Sequence, residues 1–204
     1  MEPIKNKIYR KVRSRNTQWT FTERDFVDIG SREAIRQALV RLVKEGKIRR
    51  VMRGIYDYPE YIKVLNKQAS PDLNQVAQAL ARKFGWRIQP SGDTALNVLG
   101  LSTQVPGRII YLSDGPNREY LVGKRQLIFQ KTLLKHAGLK HRESALVVHG
   151  LEALGEERFS PKVGRKIRSN FDEAMLKKIL LDSRRVKGWI YDCIRVICLG
   201  ENDG

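Results

Sequence analysis

Arg32, Arg36 and Gln37 fall in one short run of the chain. Side chains of these two types can each grip a base edge with paired hydrogen bonds, Arg to O6 and N7 of guanine and Gln to N6 and N7 of adenine. Further on, Arg49, Arg50 and Arg53 alternate with Ile48, Val51, Met52 and Ile55, the composition of a strand pair able to lay cations along a phosphate backbone. Lys5, Lys11, Ser31, Arg41 and Lys44 complete the set of side chains suited to phosphate contacts, which fix register without reading sequence.

Other chemistry finds less support. Ser91-Gly92-Asp93 superficially resembles the start of a nucleotidyltransferase site. Such a site needs further paired carboxylates to hold two cations, and no Asp-x-Asp follows. A turn with a helix cap accounts for the same residues. His136, His141 and His149 lack the spacing with a glutamate that marks a helical zinc site, and surface or core histidines are the simpler reading. Cys193 and Cys198 are the only cysteines, too few and too widely spaced for a zinc site or a disulfide framework, so two reduced thiols buried among Ile190, Ile194 and Val196 are expected. No phosphate-binding glycine loop occurs. The sequence therefore predicts no catalytic group, metal or cofactor.

Charge points to the partner class. The 204 residues carry 39 Lys+Arg against 22 Asp+Glu, a formal net charge of +17, and such a field attracts polyanions. The first sixty residues hold 15 basic and 8 acidic side chains, a higher net charge per residue than the remainder with its 24 and 14. No apolar run approaches the roughly 18 residues of a membrane span, and no signal-peptide core opens the chain. A cytoplasmic protein without membrane contact is expected.

The elements that would position these side chains can be read in order. Ile4, Ile8 and Val12 recur every fourth residue among Lys5, Lys7, Arg10, Lys11 and Arg13, which predicts an amphipathic helix. Residues 18–21 alternate like a short strand. Thr22 with Asp25, or Thr20 with Glu23, supplies the cap of a second helix running to about Ile29 and ended by Gly30. Ser31 is an N-cap, Glu33 suits the positive helix end and Gly46 is a stop, so residues 32–45 form a third helix. Its apolar side holds Ala34, Ile35, Ala38, Leu39, Leu42 and Val43; Glu33, Arg36, Gln37, Val40 and Lys44 face away, flanked by Arg32 and Arg41. Residues 47–57 read as a hairpin with Gly54 at its reversal. Helix, short strand, helix, turn, helix and basic hairpin is the order of a winged helix-turn-helix, in which the third helix enters the major groove and the wing tracks the backbone.

Residues 1–60 are thus expected to form a DNA-binding winged helix-turn-helix, residues 61–70 a linker and residues 71–204 a second α+β domain with a helical C-terminal part. In that second part, helices are predicted over 72–84, 93–99, 144–154, 170–181 and 188–199. Strands are predicted at 108–112 and 126–129, about the turn Asp114-Gly115-Pro116-Asn117. A second basic concentration comprises Lys124, Arg125, Lys131, Lys135, Lys140, His141 and Arg142, with Arg165, Lys166 and Arg168. It could extend a nucleic-acid footprint or be a solvated surface. No sustained heptad pattern occurs, so a monomer that occupies DNA repeats in pairs is expected.

The runs Gly30-Ser31-Arg32 into Ala38-Leu39-Val40-Arg41-Leu42-Val43-Lys44-Glu45-Gly46-Lys47-Ile48-Arg49-Arg50, and Arg53-Gly54-Ile55-Tyr56-Asp57-Tyr58-Pro59, resemble the N-terminal domain of AbiEi-type antitoxins of type IV toxin-antitoxin, or abortive-infection, systems. The later run Pro90-Ser91-Gly92-Asp93-Thr94-Ala95-Leu96-Asn97-Val98-Leu99-Gly100-Leu101-Ser102-Thr103-Gln104-Val105-Pro106, with Arg108-Ile109-Ile110-Tyr111-Leu112-Ser113-Asp114-Gly115, is similar to the segment C-terminal to the winged helix in that family. The resemblance covers residues 2–135 well and the remainder loosely. It implies a repressor that binds repeats in its own promoter as double-stranded DNA. It also implies a C-terminal domain that opposes a nucleotidyltransferase-like toxin without a stable toxin complex. Two other readings stay open: an RNA-binding regulatory module, for which clustered aromatic stacking residues are missing, and a nucleotidyltransferase-type enzyme, for which the catalytic constellation is missing.

Overall fold

A computed structural model describes residues 2–15, 17–102, 107–132 and 139–200. Thr103 to Pro106 of the second family-like run, and Lys135 and His136, lie outside the described residues. The fold is α+β with a helical C-terminal part, as expected. It divides into two compact units, Met1–Trp86 with Tyr120–Leu127 and Arg87–Glu119 with Ile128–Gly204.

The first unit is built from α1 (Ile4–Arg13), β1 (Thr20–Phe21), a 3-10 turn (Glu23–Phe26), α2 (Arg32–Lys44), β2 (Arg49–Met52) and β3 (Ile55–Asp57). Antiparallel pairing gives a three-stranded sheet in the order β1-β3-β2. This is the element order expected of a winged helix, with a 3-10 turn in the place of the second helix. Ile8 and Val12 of α1 and Ile35, Ala38, Leu39 and Leu42 of α2 are buried with Phe21, Phe26, Ile48 and Tyr56 in one core. Each fully buried large side chain stabilises the unit by roughly 1.5–3 kcal/mol. Ser31 caps α2 by accepting from the Ala34 amide at 3.3 Å, and Gly46 leaves the helix at φ +65°, a conformation that costs glycine little.

The predicted second helix is shorter than expected. The Thr22–Asp25 capping box forms, but it opens only a 3-10 turn. Lys11 Nζ takes the Asp25 carbonyl at 2.9 Å, the acceptor a continuing α-helix would offer to residue 29. The Ile29 amide bonds Phe26 instead.

Residues 61–70 are not the plain linker expected. They form a small hairpin of β4 (Tyr61–Ile62) and β5 (Lys67–Gln68) around a 3-10 turn. The compact first unit also runs beyond residue 60, through α3 (Leu73–Phe84), which packs on β1 and β3. All three residues of β3 are buried, the pattern of a central strand covered on both faces. Leu73, Val76, Ala77, Leu80 and Ala81 of α3 are buried in turn. Arg82 ties α3 down through the Thr20 carbonyl (2.9 Å) and Asp25 (3.1 Å).

The second unit draws on β6 (Ile88–Pro90), α4 (Gly92–Val98) and β7 (Arg108–Ser113), and on α5 (Arg142–Leu154), α6 (Pro161–Arg168), α7 (Glu173–Asp182) and α8 (Gly188–Leu199). The hairpin β8 (Arg118–Val122) and β9 (Arg125–Lys131), whose residues Tyr120–Leu127 are assigned to the first unit, belongs to a sheet ordered β6-β7-β9-β8. Four expected helices and both expected strands coincide in this later part with observed elements, and α8 matches to the residue. The strands β6 and β8 and the helix α6 were not anticipated. Leu99, Val147, Leu151, Ile167, Leu176, Ile179, Ile190 and Ile194 form the helical core, and Cys193 and Cys198 lie in it as free thiols. Burial raises both thiols to about 11.

Candidate nucleic-acid interface

The exposed side of α2 carries Glu33, Arg36, Gln37, Val40, Arg41 and Lys44, as its periodicity requires once Ile35, Ala38, Leu39 and Leu42 are buried. Beside it stands the wing. Met52 pairs with Ile55, so Arg53 and Gly54 alone make the reversal, and Gly54 takes φ +74°. A Cβ there would also meet Lys83 Nζ at 2.9 Å. The tip of the Lys83 side chain can move aside, so it is the backbone conformation that calls for glycine at the wing tip.

Between these elements runs a groove of about 640 Å³ lined by Arg24, Arg32, Arg36, Arg50, Arg53 and Lys83, with one carboxylate, Glu23. Leu39 and Tyr56 contribute apolar surface, and Phe84 stands 47% exposed at one side. Phe84 stacks on Trp86 with ring centroids 4.7 Å apart. Six cations against one anion give the groove a strong positive potential. That potential is focused by the low-dielectric walls of a concave surface.

Each candidate side chain can now be placed. Arg32 and Arg36 both reach the groove and both meet Glu23: Arg32 donates to it from Nε at 2.9 Å, and Arg36 Nη2 lies 3.5 Å from it. Gln37 is exposed on the same helix face and contacts Glu33 at 3.4 Å. Arg50 and Arg53 line the groove, while Arg41 and Lys44 are exposed along α2; none of these four has a side-chain partner among the described residues. They are available to phosphates.

Four other candidates are tied up. Arg49 is turned inward. Its Nε and Nη2 donate to the two carboxylate oxygens of buried Asp57 at 3.0 and 2.5 Å, and Nη1 donates to the Ala69 carbonyl at 2.8 Å. The expectation that Arg49 contacts DNA is corrected on this point: strand alternation points it to the opposite side from Arg50. Lys11 is held by the Asp25 carbonyl and by Asp28 at 3.0 Å, and that bond keeps the Asp28 carboxyl below its usual range. Lys5 donates to Glu45 at 2.5 Å. Ser31 spends its hydroxyl on the α2 cap. These residues brace the interface rather than form its open surface.

Arg24 and Lys83 were missed. Arg24 has no periodic pattern around it, and Lys83 belongs to a helix expected in the second domain. Nothing local signals that either residue faces the groove. The described members of the second basic concentration are divided between the two units. Arg125, in the first unit, bonds the Pro71 carbonyl. In the second unit, Arg168 caps the end of α8 through the Ile197 and Cys198 carbonyls at 2.9 and 2.6 Å. Lys140 and His141 lie together with Lys178, Arg184 and Arg185 around Asp182. Asp182 accepts the Lys140 and His141 backbone amides at 2.9 Å each. Among the described residues no group of His, Cys, Asp or Glu is arranged to hold a metal ion, and no helix is long and apolar enough to cross a membrane.

The first unit combines the element order of a winged helix with one further helix and a cation-lined cleft. The chain belongs to the family of unknown function DUF6088, whose profile matches residues 7–179. Among solved structures, the RV2827C protein from Mycobacterium tuberculosis is similar over 97% of this chain and 77% of its own, at 14% identity and a TM-score of 0.39. No curated protein matches the chain.

Proposed function

We propose that this protein is a sequence-specific double-stranded-DNA-binding repressor. In this reading α2 enters the major groove with Arg32, Arg36 and Gln37 at base edges. Arg24, Arg41, Lys44, Arg50, Arg53 and Lys83 neutralise phosphates on either side. The observation that carries the reading is the convergence of four separate elements, the 3-10 turn, α2, the wing and α3, on one groove holding six cations and one carboxylate. A surface that merely kept the protein soluble would have no reason to gather its cations in a cleft beside a recognition-type helix.

The resemblance to AbiEi-type antitoxins extends the proposal. The protein would be a cytoplasmic monomer that represses its own operon through promoter repeats. It would act by binding rather than catalysis, and would oppose a nucleotidyltransferase-like toxin through its second unit. A retardation assay on the upstream promoter fragment tests the DNA part, with salt varied. Affinity should fall steeply as salt rises. Arg36→Ala should lower discrimination between the promoter and unrelated DNA. Arg50→Ala should weaken every duplex alike and reduce the salt slope by about one. Parent-like binding by both variants would remove α2 and the wing as the interface. Growth rescue on co-expression with a nucleotidyltransferase from the adjoining reading frame tests the antitoxin part.

A further inference from the structure

The groove's single carboxylate stands between the two arginines assigned to base reading. Glu23 Oε1 accepts from Arg32 Nε at 2.9 Å and lies 2.8 Å from its Nη2, and Glu23 Oε2 lies 3.5 Å from Arg36 Nη2, with Glu33 as far from Arg36 Nη1 on the other side. Glu23 itself is the more sheltered partner, 28% exposed against 77% for Arg32 and 50% for Arg36.

The segment carrying Glu23 is braced from three sides. Thr22 and Asp25 cap each other's backbone, Arg82 of α3 bonds Asp25, and Lys11 of α1 bonds the Asp25 carbonyl. The backbone that carries Glu23 is therefore held in place, and its carboxylate is the more sheltered end of both pairs.

From this geometry we infer that Glu23 is the specificity-determining residue of the interface: it orients Arg32 and Arg36 for base edges and penalises phosphate at the start of α2. The inference rests on the DNA-binding reading above. Two physical effects act together. A guanidinium already held by a carboxylate loses less rotamer freedom on binding, so more of a base contact appears as affinity. Arg32 keeps Nη1, and Arg36 keeps donors of its own, for an acceptor such as guanine O6 or N7. A phosphate that approached the same arginines would meet the Glu23 charge. Non-specific binding, which is driven by phosphate neutralisation, is thereby held down at the reading end of the groove, while Arg50 and Arg53 remain open to the backbone.

The test compares two duplexes with full-length protein: one enriched from a random pool by the parent, and one scrambled to the same composition. Glu23→Gln should bind the scrambled duplex about threefold to tenfold more tightly, with a salt slope steeper by roughly one. Its preference for the enriched duplex should fall about tenfold, the scale of one good base contact. Glu23→Asp keeps the charge but withdraws it by one methylene. It should bind the scrambled duplex like the parent and still lose preference, which separates repulsion from positioning and serves if Glu23→Gln folds poorly. Unchanged preference and slope in both variants would overturn the role of Glu23 and leave the repressor reading standing. A parent that enriches no duplex from the pool would instead overturn the DNA reading itself.

Discussion

Replacing Asp57 by Asn should destabilise the first unit without touching its outer surface. Asp57 sits on β3 directly across from Arg49 on β2; its side chain is 1% exposed and that of Arg49 25%. The carboxylate receives two guanidinium hydrogen bonds, and the third guanidinium nitrogen bonds Ala69. The pair thus pins the wing to the chain entering α3. Removing one member of such a pair strands the other charge, at a cost of roughly 3–5 kcal/mol. An Asn can still accept one of the bonds, and Arg49 keeps Ala69, which places the loss at about 3 kcal/mol. For a unit of this size that is a fall in melting temperature of more than about 10 °C. Urea denaturation gives the measurement, followed through Trp19, whose ring lies 4.8 Å from Phe21 in the core, with Trp86 and Trp189 replaced by Phe. The same geometry separates neighbouring arginines. Arg49→Met should lower stability and, where the protein is still folded, leave DNA affinity close to the parent's; Arg50→Ala should do the reverse. A loss below about 1 kcal/mol for Asp57→Asn, or equal loss of DNA binding by folded Arg49→Met and Arg50→Ala, would refute the assignment of Arg49 to the interior.

Gly150→Ala should destabilise the second unit by roughly 1–3 kcal/mol in urea titrations, because the added Cβ would lie 2.5 Å from Leu99 Cδ1 in a packed core. Hydrogen bonds from Lys47 and then Lys5 lower the Glu45 carboxyl from 4.5 to about 2. A carboxyl depressed by folding contributes stability above its unfolded value and loses it as pH falls toward the folded one. Stability should therefore drop between about pH 4.5 and 2, and Glu45→Gln should flatten that part of the profile; identical profiles would show that Glu45 contributes nothing. Cys193 and Cys198, raised to about 11 by burial, should resist a thiol reagent at pH 8 until denaturant is added. Rapid labelling of the native protein would contradict the packing of α8.

Much of this molecule is local in origin. Ile4, Ile8 and Val12 fix α1 by their spacing, Ser31 and Gly46 bracket α2, and Gly54 marks the wing tip. Each of these signals is a short-range conformational preference, so the chain states it wherever it folds. For the same reason the exposed row Arg36, Gln37, Arg41 and Lys44 was legible on α2: a helix with one buried stripe must present the opposite one. Pro161 after Ser160 is also a helix start, and Val163 and Ile167 stand four apart, but eight residues offer only that single apolar repeat to confirm it.

Tertiary structure alone decided which cations are free. Arg49 and Arg50 are neighbours of identical chemistry, and the buried Asp57 across from Arg49 on β3 takes one inward and leaves the other in the groove. The periodicity of α3 announces that Leu73, Val76 and Leu80 are buried without saying against what. That β3 needed cover on its second face, and that Lys83 thereby arrives at the wing tip, depends on contacts distant along the chain. Glu23 is the sharpest case: one acid among 22 in the sequence, given its place beside Arg32 and Arg36 only by a turn braced from α1 and α3.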